Sequence, residues 1–134
     1  MSNKEHAYTD AELLDICQRL RAARTHVEWM RVQAFIAKEH KASENAAFRL
    51  VWGLATGYRK PPPGLARPGA TLTHGEAYAV KLHLKNFSNS IENAAAFLGV
   101  DVNTYRLYMD AQRSAGRQGL MAAVPPPPPE QQDG

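Results

Sequence analysis

Two pairs of side chains in this sequence are of the types that read DNA base edges: Asn103 with Arg106, and Asn45 with Arg49. A carboxamide matches the donor and acceptor on an adenine edge, and a guanidinium forks onto the two acceptors of guanine. Spacings of three and four residues put each pair on one face of a helix. Phosphates would be held by cations nearby, through counterion release: Lys38, Lys41, Arg59 and Lys60 around the first pair, and Arg113 beyond the second.

Other chemistry is poorly supplied. His6, His26, His40, His74 and His83 fall in no metal-ligand spacing, and no glycine loop is built to cradle a phosphate. Cys17 is the single cysteine, which excludes an internal disulfide and a four-cysteine zinc site. It lies on the apolar stripe of Leu13, Ile16 and Leu20, so it reads as a buried structural thiol rather than a nucleophile served by His26. Glu39-His40 reads as solvated surface. A protein without catalytic residues, metal or cofactor is the expectation.

The elements that must position the base-reading pairs follow from the pattern around them. Residues 91–110, IENAAAFLGVDVNTYRLYMD, read as two short helices joined at Gly99. Glycine enters the left-handed conformation without a Cβ clash. Ala95 is small where the helices cross, Leu98 and Val100 flank the corner, and Asp101 caps the second helix. Tyr105 and Tyr108 take its inner face and leave Asn103 and Arg106 outside. This is the sequence form of a helix-turn-helix. Residues 33–52, QAFIAKEHKASENAAFRLVW, fit the same template. Ala37 stands at the crossing, Lys41 at the corner, Ser43 at the cap, and Ala47 and Leu50 on the inner face. A left-handed lysine costs about 1 kcal/mol or more. The alternative for both segments is a plain helical hairpin.

Capping-box patterns at Thr9/Glu12, Thr25/Glu28 and Thr73/Glu76 open three helices, the second of which leads into the Lys41 corner. The first runs from about Asp10 to about Arg24, by its cap and its apolar spacing. The second carries Val27, Met30, Ala34 and Ala37 at helical spacing. A third follows the Ser43 cap and ends at Gly57 and the prolines 61–63. The fourth carries Ala77, Val80, Leu84 and Phe87, with a break expected at Ser88-Asn89-Ser90; the alternative is one long kinked helix, since the stripe continues in register through Ile91, Ala94 and Leu98. Four regions result: an N-terminal helical region (1–58), a Pro/Gly linker (59–72), a second helical region (73–116), and a disordered tail (117–134) holding five consecutive prolines. The fold class is all-α, a small multi-helix bundle of one domain or of two very small ones sharing a core.

Composition sets the remaining bounds. Net charge is +3, but residues 19–60 hold nine Lys/Arg against three acids, while residues 85–117 hold four against three. The Gly99 unit thus has the better turn and the Lys41 unit the better charge. No apolar run approaches the roughly 20 residues of a membrane span, and MSNKEHAYTD lacks the apolar block of a secretory signal. A cytoplasmic location without membrane contact is expected.

Both segments resemble the helix-turn-helix of phage and plasmid repressors. A further likeness begins at Val51-Trp52 and runs through Gly64-Leu65-Ala66-Arg67, Leu72, Ala77-Tyr78 and Val80. It is similar to the region after the recognition helix in TrfB-type plasmid repressors. The chain departs from that family in lacking the corner glycine at Lys41 and in carrying a second candidate unit. The resemblance implies a transcriptional repressor of a mobile element, binding double-stranded DNA as a homodimer. Competing expectations are a protein-interaction adaptor, with the pentaproline docking on a partner, and a DNA-packaging or replication accessory protein.

Overall fold

The computed structural model describes residues 7–86 and 88–121, and these form helices with no strand among them. In chain order they are α1 (Asp10–Ala22), α2 (His26–Glu39), α3 (Glu44–Thr56), α4 (His74–Leu84), α5 (Ile91–Phe97) and α6 (Val102–Met121). The all-α expectation holds. No helix among the described residues is long and apolar enough to cross a membrane.

Local chemistry starts four helices where the sequence indicated, and Ser90 adds a fifth cap that the spacing had not singled out. The hydroxyls of Thr9, Thr25, Ser43, Thr73 and Ser90 each accept a backbone N–H from the first turn that follows. Thr9 and Thr73 complete reciprocal boxes with Glu12 and Glu76. Thr25 makes only half of one, because the Glu28 carboxylate reaches one residue further back and accepts the Arg24 N–H at 2.7 Å. The break at Ser88-Asn89-Ser90 is real: α4 stops at Leu84, and Ser90 caps α5.

Two expectations need correction. The second helix turns inward on Trp29, Val32 and Ile36, leaving Val27 and Met30 exposed. Both stripes have helical spacing, and the bulkier one removes more apolar area from water. The last helix does not stop near Gly116 but continues to Met121. The pentaproline (125–129) and Phe87 lie outside the described residues.

The core is shared by all six helices, so 1–58 and 73–116 do not form separate cores. The helix α4 packs against α1, α2, α3 and α6, and α5 packs against α3. A buried ion pair fastens α4 to α1: the Arg21 guanidinium donates to one Glu76 oxygen at 3.2 Å and 3.3 Å. The other Glu76 oxygen accepts the Thr73 N–H, so one side chain serves both the cap and the bolt. Nearby, the Thr73 hydroxyl donates to the Arg21 carbonyl, and the Gly75 N–H reaches the Ala23 carbonyl at 2.9 Å. No buried side-chain polar atom among the described residues is left without a partner. Segment 59–72 has no regular structure, yet Pro61 and Pro62 are buried and Leu65 packs on the core.

Candidate nucleic-acid interface

Two helix pairs, α2 with α3 and α5 with α6, carry the four base-reading candidates, and their corners match residue for residue. Four residues separate the helices in each pair: His40-Lys41-Ala42-Ser43, and Leu98-Gly99-Val100-Asp101. Lys41 is left-handed with φ 53°, and Gly99 with φ 69°. The residue after each corner closes the same backbone bond, Ala42 N–H to the Ala37 carbonyl and Val100 N–H to the Ala95 carbonyl, both 3.1 Å. These are the bonds that terminate a helix with a left-handed residue. Behind the corners, Ala47 and Tyr105 occupy equivalent buried positions. The hairpin repeat read from the residues is therefore present in the backbone.

The caps differ in chemistry. Ser43 accepts the Ala46 N–H at 3.0 Å. Asp101 accepts from Thr104, whose hydroxyl and backbone N–H hold the exposed carboxyl below its usual range, with a small contribution from Arg67. A carboxylate at the mouth of α6 suits the helix N-terminus and repels a phosphate.

On α3, Asn45 and Arg49 are exposed, as are Lys38 and Lys41 beside its N-terminus. None of the three cations has an ion-pair partner among the described residues. An open groove of about 520 Å³ runs along this unit, lined by Met30, Gln33, Ala34, Ala37, Lys38 and Glu44. Lys60 is exposed further along the chain, whereas Arg59 is half-buried with its guanidinium 5.8 Å from the Tyr8 ring. Arg59 is thus partly engaged with the protein.

On α6, Asn103 and Arg106 are exposed, but Arg113 reaches Asp110 at 3.3 Å. The corner itself is covered. A Cβ placed on Gly99 would stand 2.5 Å from the Ala66 carbonyl oxygen and 2.7 Å from that of Leu65. The linker 59–72 therefore lies across this turn, and only glycine admits it.

Behind this unit, His83 of α4 lies buried between the Tyr105 hydroxyl (Nδ1, 2.8 Å) and the Asn89 carbonyl (Nε2, 3.4 Å). Facing a carbonyl, Nε2 must carry the proton, so Nδ1 accepts from the tyrosine. Burial pulls the His83 pKa down, and the Asn89 carbonyl opposes this weakly. Cys17 is buried, and desolvation pushes its thiol up to about 12, so it is an inert core residue as expected. No group of three or more metal-ligating side chains occurs among the described residues.

Two exposed apolar residues escaped the reading of the sequence. Phe48 is 52% exposed and Leu107 is 67% exposed. Each lies on the outer face of its helix beside an arginine, Phe48 before Arg49 and Leu107 after Arg106. Their signal was present in part: Leu107 falls opposite the inner face set by Tyr105 and Tyr108, and Phe48 falls at the edge of the face set by Ala47 and Leu50. No family model matches this chain, and no curated protein or solved structure does.

Proposed function

We propose that this protein binds double-stranded DNA through the α2–α3 unit, with α3 in the major groove, as a small transcriptional repressor of a mobile element. The observation that carries the reading is the uncovered outer face of α3. There Asn45, Phe48 and Arg49 are exposed together, beside the unpaired Lys38 and Lys41. Asn45 and Arg49 meet base edges, while Lys38, Lys41 and Lys60 hold phosphates. The covered corner and the Asp110–Arg113 pair make α5–α6 the poorer reader and the better structural brace. One small unit gives limited specificity, so a homodimer on a two-fold site is part of the proposal, as is a cytoplasmic setting.

Selection of bound fragments from a random duplex pool tests this, together with the salt dependence of binding. Enrichment of a two-fold site, with log affinity falling against log salt at a slope of about −3 or steeper, is the expected result. Enrichment without symmetry would favour a packaging or replication accessory protein acting through the same groove chemistry. A second reading, a protein-interaction adaptor, draws support from Val27 and Met30, exposed on α2. Binding to no duplex at low salt would decide for it.

A further inference from the structure

We infer that Phe48 is a specificity-determining residue that reads the 5-methyl group of a thymine, an inference that rests on α3 being the DNA-reading helix. The ring is 52% exposed. It flanks the buried face of α3, formed by Ala47, Leu50, Val51 and Leu54, on the side where Asn45 lies, and has no ring partner among the described residues. Its neighbours on the outer face are Asn45, three residues earlier, and Arg49, the next residue.

A phenyl ring at the edge of a face that carries an amide and a guanidinium has few favourable contacts in a DNA groove. Phosphate and sugar contacts are made by cations and hydrogen-bond donors, which a phenyl ring lacks. Base edges in the major groove present donors and acceptors, which it cannot satisfy, and one apolar group, the thymine methyl. Half-exposed in the free protein, the ring recovers burial by covering that methyl. Asn45 and Arg49 then supply the polar contacts beside it. The recognised site accordingly contains a thymine next to the base pairs read by Asn45 and Arg49.

The experiment uses the full chain and the duplex recovered by selection, with each thymine replaced in turn by deoxyuridine, which lacks only the methyl. The native protein should lose about 4-fold in affinity at one thymine of each half-site, the worth of one buried methyl. Phe48→Ala should bind the thymine duplex about as weakly as the native protein binds the uracil duplex, and should be indifferent to the replacement. Phe48→Leu should keep part of the discrimination. Thermal melting of both variants should stay near that of the native chain, since the side chain lies outside the core. Uracil tolerated at every position, a penalty that persists in Phe48→Ala, or a recovered site without thymine would each overturn the assignment. Salt-dependent binding with no enriched sequence would overturn it while leaving DNA binding intact. Failure to bind any duplex would remove the DNA reading and this assignment together.

Discussion

The two corners, at Lys41 and Gly99, share backbone conformation and hydrogen bonding but differ in what surrounds them. Lys41 stands in solvent, with free cations around it. Gly99 lies under the linker, against the carbonyls of Leu65 and Ala66. The same turn can therefore stand open to solvent or act as a joint in the bundle, and its neighbours decide which. A left-handed lysine carries a conformational cost that glycine does not. A side chain is tolerated at the open corner, where Lys41 is exposed. At the covered corner no side chain fits.

The largest expected effect tests that contrast on stability. Gly99→Val should destabilise the protein by about 2–5 kcal/mol, from left-handed strain plus displacement of the linker. Chemical denaturation would measure it. A loss no larger than that of an exposed surface substitution would mean the linker does not press on the corner.

The outer faces come next. Arg49→Ala should weaken binding to the selected duplex by about 10-fold or more, within the 1–3 kcal/mol of a bidentate base contact. Arg106→Ala should change it by less than about 2-fold. The reverse ranking, in titrations at one fixed salt concentration, would move the reading head to α6.

The contact of α4 with the α5–α6 unit should also be pH-sensitive. His83 is held neutral, with its folded pKa below the unfolded value of 6.5. The unfolded chain therefore takes up the proton first as pH falls. Stability from this site is complete above the unfolded pKa and declines as pH drops through 6.5 toward the folded value. Tyr105→Phe removes the hydroxyl that Nδ1 accepts from, and should cost about 1–3 kcal/mol at neutral pH. Denaturation midpoints at pH 5 and pH 8 for the native chain and a His83→Gln variant would check the dependence, which should flatten in the variant.

The smallest effect has opposite signs in two assays. Lys41→Gly should stabilise the fold by up to about 1 kcal/mol, because it relieves the left-handed strain. It should also reduce the salt slope of DNA binding by about 1, because one phosphate contact is lost. A stabilised variant with an unchanged slope would place Lys41 away from the phosphates.

Much of this architecture was legible in the residues because its signals are local. The hydroxyl caps at Thr9, Thr25, Ser43 and Thr73, the two corners and the break at Ser88-Asn89-Ser90 each depend on side chains within a few positions of the backbone they satisfy. The exposure of Asn45, Arg49, Asn103 and Arg106 followed from the same local periodicity. Where two apolar stripes competed on α2, periodicity alone could not choose between them. Trp29 inward and Met30 outward is a result of packing against neighbours distant in sequence. The extent of α6 was misjudged for a related reason: glycines at 116 and 119 lower helix propensity without forbidding a helix.

By itself, the sequence determined the all-α class, the helix starts, the paired left-handed corners and the concentration of positive charge between residues 19 and 60. These rest on backbone preference, side-chain reach and composition, and none needs a distant partner. The tertiary structure decided which corner is covered, where Arg59 and Arg113 spend their charge, and that Arg21 and Glu76 meet across the bundle. It also left Phe48 in solvent among the polar residues of α3. Each of those outcomes depends on chain segments brought together by burial of a shared core, and burial is non-directional, so no local spacing encodes it.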